Sequence, residues 1–214
     1  MTPLDMAKIT VNLVVIYLVG GLIMAFVYAK TSPIMFIKAK EEKEAALKVM
    51  MPDADRIDKL GDWEPHEKHA EYYAARKCGE LKITNVKDEK TGEMKEESEC
   101  LNPQDIGYIA ETFGKGYSSY INILVSVDRN FVVKKINVLH HGETPGLGDE
   151  IEKEYFLNQF EGKAADNLVV VKGETVNKIQ AITGATISSR AVTEDGVRSG
   201  VKMLQEKLSG EVQG

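Results

Sequence analysis

Iron–sulfur chemistry is the first thing this sequence lacks the means for. Its 214 residues hold two cysteines, Cys78 and Cys100, where a cluster needs about four thiolates. Histidine is equally sparse: His66 and His69 stand at a spacing that metal sites use, but no third ligand accompanies them, and surface positions are the simpler reading. Basic surplus is missing too. Lys and Arg total 27 against 33 Asp and Glu, for a net charge of −6; residues 1–30 contribute only Asp5, Lys8 and Lys30, which leaves −7 on the remainder. That balance excludes nucleic acid or anionic lipid as the main partner. No internal repeat, low-complexity segment, Ser–His–Asp arrangement, phosphate-gripping Walker loop or dinucleotide fingerprint is present, so the chain alone is not equipped to turn over a small substrate.

Charge is also absent from Ile9 to Ala29, and here the absence is itself the signal. As a helix these 21 residues would span ~31 Å, the depth of a bilayer's hydrocarbon core. Thr10, Asn12 and the Gly20-Gly21 pair interrupt the run mildly, and such small residues often mark helix contacts in membranes. A signal peptide with a cleavage site at Val27-Tyr28-Ala29 is the competing reading. The run is long for one and its basic leader thin, so we expect an anchor over 1–30. Lys30, Lys38 and Lys40 follow the span and only Lys8 precedes it, which by the positive-inside rule would leave the following domain in the cytoplasm; long domains can translocate regardless.

Beyond the anchor, 31–104 reads as a helical stem with a hairpin region, and 105–214 as the main domain. The Phe36–Met50 stretch is a strong helix former stopped by Pro52, continuing from or kinking against the anchor near Ser32-Pro33. Residues 53–75 are polar. Glu80–Val86 and Met94–Glu99 read as a hairpin around a turn at 88–92, which could bring Cys78 and Cys100 face to face; a disulfide and two unpaired buried thiols both remain open. Strands follow at Tyr117–Val127 and Phe131–Leu139 around an Asp128-Arg129-Asn130 turn, then a helix over Asp149–Phe160, strands at Asn167–Val171 and Val176–Ile182, and a terminal helix to Leu208. Helices and strands are segregated, which predicts an α+β fold with a mainly antiparallel sheet flanked by helices.

Two stretches stand out. Thr183-Gly184-Ala185-Thr186, followed by Ile187, Ser188 and Ser189, is small and rich in hydroxyls and opens the terminal helix. Backbone N–H groups left free at a helix start favour a phosphate there, although a plain N-cap would use the same residues. Some forty residues earlier lies Glu143-Thr144-Pro145-Gly146-Leu147-Gly148, reached from His140 and His141. Its glycines let backbone approach a flat or anionic ligand, although it also serves as a strand-to-helix connection.

In this order and behind an anchor, the two stretches resemble the FMN-binding domain of the G subunit of Rnf-type electron-transport complexes, and the related C subunit of the sodium-translocating NADH:quinone reductase. The resemblance covers residues 1–30 and 105–208. It implies FMN esterified through its phosphate to Thr186 by a flavin transferase, with Thr183, Gly184 and Ala185 as the presenting turn. Glu143, Thr144, Gly146, Leu147 and Gly148 would line the flavin, and Ser188 and Ser189 would bond the phosphate or simply cap the helix. It further implies a single-pass protein of the cytoplasmic membrane with its large domain outside the cytoplasm, where Cys78 and Cys100 would oxidise. Its partners would be other membrane subunits, with electrons passing between ferredoxin and NAD and coupled to sodium or proton translocation. The chain would be an electron carrier, not catalytic on its own. A C-type quinone-reductase subunit or another flavinylated carrier is the alternative, and an unflavinylated anchored scaffold a second. One departure favours the last: Gln180 stands where the family usually carries aspartate.

Overall fold

The computed structural model describes residues 3–87 and 94–209. By compactness the chain divides into Met1–Ala45 and Ala46–Gly214. One helix, α1 (Pro3–Met50), runs from the first unit into the second and passes through Pro33 without a break. Among the described residues it is the helix long and apolar enough to cross a membrane. Thr10 and Thr31 turn their hydroxyls back onto the carbonyls of Met6 (2.9 Å) and Val27 (2.8 Å). Both polar side chains are thereby satisfied inside the helix, which is how an apolar span tolerates them.

The second unit is built on a five-stranded antiparallel sheet. Its strands are β1 (Arg56–Trp63), β2 (Ala70–Lys77), β5 (Gln104–Lys115), β6 (Tyr120–Asp128) and β7 (Val133–His140), in that spatial order. β3 (Glu80–Lys87) and β4 (Met94–Leu101) pair separately, and the turn expected at 88–92 lies outside the described residues. β1 and β2 occupy the stretch read as merely polar. β1 is an edge strand with Arg56, Asp58, Lys59 and Asp62 along it, and charges on an edge discourage pairing with other chains while erasing the apolar alternation. His66 and His69 diverge. His66 lies against the Tyr120 ring at 5.7 Å between centroids, while His69 faces Asp62. Lys59 already bridges Asp62 and Glu71 at 2.7 and 2.6 Å, so an ammonium fills the space between those carboxylates.

Cys78 and Cys100 form a disulfide with Cα atoms 5.3 Å apart. They do not meet as cross-strand partners, because Cys100 pairs with Leu81. Lys77 is the last residue of β2 to pair with β5 and Glu80 the first of β3 to pair with β4. The bond therefore closes the kink where one long hairpin leaves the main sheet.

Both faces of the sheet are covered. On one, Ile121, Ile123, Val125 and Val127 of β6 pack against Val192, Val197, Val201 and Leu204 of the terminal helix. On the other, Leu47, Met50 and Met51 cover Tyr73, Ile109 and Leu124. Burial on both faces explains the nearly unbroken apolar run of β6.

Four expected elements differ. The helix over Asp149–Phe160 is two short 3₁₀ turns (Gly148–Glu152 and Asn158–Phe160) around α2 (Glu154–Leu157), with Lys153 extended at φ −76°, ψ 142°. Ile151, Phe156 and Phe160 are all fully buried, and their uneven spacing does not fit one face of a regular helix. The strands at 167–171 and 176–182 shrink to β8 (Val170–Val171) and β9 (Ile179–Gln180), which pair in parallel. The terminal helix comprises α3 (Thr186–Arg190), a π-helical stretch (Ala191–Arg198) and α4 (Ser199–Leu208).

Candidate functional site

The two singled-out stretches meet. A cavity of about 430 Å³ is lined on one side by Glu143, Thr144, Leu147 and Gly148 and on the other by Gly184, Ala185, Thr186, Ile187 and Ser188, with Tyr117 at its edge. Local chemistry shapes both walls. The Thr144 carbonyl accepts the N–H groups of Leu147 (3.2 Å) and Gly148 (3.1 Å), closing a tight loop in which Gly146 takes φ +73°. On the facing wall the Ala185 N–H returns to the Ile182 carbonyl at 3.0 Å, with Gly184 at φ +82°. A positive φ at the third residue of a β-turn is where glycine is needed. The turn ends where α3 begins, so Thr186 is the first helical residue and stands half-buried on the cavity wall.

Not every expected residue reaches the cavity. Thr183 is exposed beside it, Gly146 shapes the loop from outside, and Ser189 lies fully buried behind it. The two serines correct the capping reading, since no side chain caps α3. Ser189 Oγ instead accepts the Ile182 N–H (3.0 Å) and donates to the Ala185 carbonyl (2.9 Å), stitching the turn to the helix. Ser188 donates to the Glu143 carboxylate.

Glu143 is buried at 6 % exposure, and beyond Ser188 it accepts the N–H groups of Tyr117 (3.2 Å) and Ser118 (3.0 Å). Burial acts to raise its pKa. The hydrogen bonds from Ser188 and from the backbone of Ser118, Tyr117 and Ser119 outweigh that and hold the carboxyl below its ordinary value. The neighbouring His141 points away from the cavity: its Nδ1 accepts the Glu143 N–H at 3.1 Å and its Nε2 faces Glu152 at 2.9 Å. His140 is exposed at the end of β7.

Tyr117 and Ile187 are wall residues that sequence reasoning missed. Both are large, and they are 73 % and 55 % exposed respectively. Ile187 carries a signal in hindsight, being a bulky apolar residue in the first turn of a helix whose neighbours are small. Gln180, the departure from the expected pattern, is exposed and off the cavity wall; its N–H bonds Gln159 Oε1 at 2.7 Å.

An antiparallel sheet with a helix-start hydroxyl facing a glycine loop defines the class, and residues 116–201 match the family of the FMN-binding domain. The G subunit of the proton-translocating ferredoxin:NAD(+) oxidoreductase complex of Clostridium ljungdahlii is 34 % identical over 207 residues, 95 % of this chain and 94 % of that protein. The G subunit of the ion-translocating oxidoreductase complex of Methanosarcina acetivorans is 27 % identical over 195 residues, 89 % and 90 % of the two chains. This chain belongs to the G-subunit family of Rnf-type ion-translocating oxidoreductase complexes. The crystal structure of Shewanella oneidensis NqrC superposes with a TM-score of 0.44 at 22 % identity, over 66 % of this chain and 62 % of that one, a likeness too slight to carry an argument.

Proposed function

We propose that this chain is a membrane-anchored electron carrier that holds FMN through a phosphoester to Thr186 and relays electrons within an Rnf-type ferredoxin:NAD(+) oxidoreductase complex coupled to Na⁺ or H⁺ translocation. The observation that carries the proposal is the meeting of Thr186 with the Glu143–Gly148 loop across one cavity. The residues suit the group. Gly148 and Gly184 bring bare backbone to the cavity wall, and the Thr186 hydroxyl stands at a helix start whose N–H groups favour phosphate. Leu147 and Ile187 offer apolar surface to a flat ring.

FMN supplies one- and two-electron transfer when bound. The chain's own part is to hold it by a bond that cannot dissociate, to orient it between the two walls, and to leave the cavity mouth open to a partner subunit. One membrane helix cannot form an ion path, so translocation belongs to the partners. Maturation requires a flavin transferase, and Gln180, being off the wall, bears on recognition by that enzyme rather than on the bound cofactor. The large domain sits outside the cytoplasm. The Cys78–Cys100 disulfide supports that side, since such bonds persist in oxidising compartments.

Coexpression with a flavin transferase, followed by denaturation and intact-mass measurement, tests the reading. The expected result is a mass gain of one FMN less one water, lost in Thr186→Ala. An unmodified chain beside a control protein that is modified would favour the scaffold reading that Gln180 raises.

A further inference from the structure

Among the described residues, the hydrogen bond between α3 and the loop across the cavity from it is made by one side chain, Glu143. The Glu143 carboxylate takes donors from two other segments: the Tyr117 and Ser118 N–H groups come from the β5–β6 turn, and the Ser188 hydroxyl from the first turn of α3, two residues beyond Thr186. Glycines make the arrangement sterically possible. A Cβ on Gly116 would lie 2.5 Å from Glu143 Oε1, and one on Gly148 would lie 2.8 Å from Oε2 and 3.0 Å from Ser188 Oγ. The backbone around the carboxylate is held as well, through the Glu143 N–H on His141 Nδ1 (3.1 Å) and the Gly142 N–H on Ser119 Oγ (3.0 Å).

We propose that Glu143 is a positioning residue for Thr186: it fixes the loop, the β5–β6 turn and α3 as one body, and so sets where the Thr186 hydroxyl is presented for esterification. The inference rests on the flavin reading above. In the step concerned, Thr186 Oγ bonds to the FMN phosphorus of a flavin dinucleotide donor supplied with the transferase. The phosphoanhydride bond of that donor breaks, the nucleoside monophosphate leaves, and the hydroxyl proton passes to the transferase or to water. Glu143 is not the base. Both of its oxygens already accept hydrogen bonds, Oε1 from the Ser118 N–H and Oε2 from the Tyr117 N–H and the Ser188 hydroxyl, so the carboxylate is committed to holding these segments. Nor is it a ligand of the phosphate, because a buried carboxylate beside a phosphate would repel it.

The experiment uses the full-length chain in detergent with an active flavin transferase and flavin adenine dinucleotide. It compares wild type with Glu143→Ala, Glu143→Gln and Ser188→Ala. Misplacing a reacting group by an ångström costs on the order of a hundredfold in rate. The maximal rate of modification is therefore expected to fall ten- to a hundredfold in Glu143→Ala, with the half-saturating concentration of the protein unchanged and partial recovery in Glu143→Gln. Ser188→Ala, which keeps the charge and removes one donor, falls between. In the unmodified protein, amide exchange at Tyr117 and Ser118 accelerates in Glu143→Ala, a readout independent of flavin. Modification of a folded Glu143→Ala at the wild-type rate overturns the positioning role alone. An acid limb in the pH–rate profile that vanishes in Glu143→Gln overturns it in favour of a base. A wild type left unmodified by a transferase that modifies a control protein overturns the flavin reading, and this role with it.

Discussion

Gly114→Ala is the most severe single-methyl change available at the sheet–helix seam. Gly114 lies on β5 opposite Ile121, where the π-helical stretch comes down onto the sheet. A Cβ there would stand 1.9 Å from the Ala191 carbonyl oxygen and 2.5 Å from its carbon. Ordinary contact between such atoms is about 3.5 Å, so helix and strand must separate by roughly 1.5 Å. The obstacle is backbone and cannot swing aside. Overpacking costs about 1–3 kcal/mol, and a clash of this kind belongs at the upper end, about 3 kcal/mol. For a unit of this size each kcal/mol lowers the melting temperature by about 2–4 °C, so a fall of roughly 6–12 °C is expected. The control is Gly173→Ala, whose Cβ meets nothing within 4 Å; it should be neutral or gain up to about 1 kcal/mol by restricting the unfolded chain. Melts of both full-length variants in one detergent, followed by circular dichroism, make the comparison. A Gly114→Ala protein melting within 2 °C (about 0.5–1 kcal/mol) of wild type would refute the close approach. Because Ala191 directly follows α3, the same retreat should slow the flavin attachment proposed for Thr186.

Acid should act through Glu143. Its folded pKa lies below the ordinary 4.5, so the stability it contributes is complete above that value and is lost as pH falls through the folded pKa. The melting-temperature gap between wild type and Glu143→Gln should therefore hold from pH 7 to about 5 and narrow below about 4; a gap that widens on acidification would contradict the assignment. Reduction of Cys78–Cys100 opens a loop of 22 residues, nominally about 3 kcal/mol by loop entropy. Faster amide exchange is expected in β3 and β4 but not in β5–β7, and a uniform rise would show the hairpin to be integral to the sheet. Trp63→Phe removes the indole hydrogen bond to the Glu111 carbonyl (2.8 Å) and should cost about 1 kcal/mol in chemical denaturation. Impermeant protease added to intact cells should cleave the large domain if it lies outside the cytoplasm, and should spare it otherwise.

Legibility in the sequence followed how local each signal was. The apolar N-terminal helix was plain because the absence of charge between Lys8 and Lys30 is a property of consecutive residues. β6 and β7 were legible from their runs of β-branched and apolar residues around a short turn, and the terminal helix from its periodicity. β1 and β2 were not, since the charges along an edge strand with no fully buried residue hide its apolar positions, and the pairing partners of β2 lie some thirty residues on. The helix over 149–160 was overextended because only the packing of Ile151, Phe156 and Phe160 shows why Lys153 must be extended. For the site, the glycines and hydroxyls were visible as unusual residues in unusual order, and the family resemblance supplied their meaning.

By itself the sequence determined the long apolar N-terminal helix, the α+β class, and the two stretches that line the cavity, because hydropathy, glycine content and turn chemistry are written in neighbouring residues. Only the tertiary structure decided that those stretches share one cavity, that Tyr117 and Ile187 line it, and that the Ser188 hydroxyl bonds the Glu143 carboxylate. Those relations join residues 25 to 45 apart in the chain. Hydrogen bonds over such distances form only after the sheet and helix have packed and taken water away from the groups concerned.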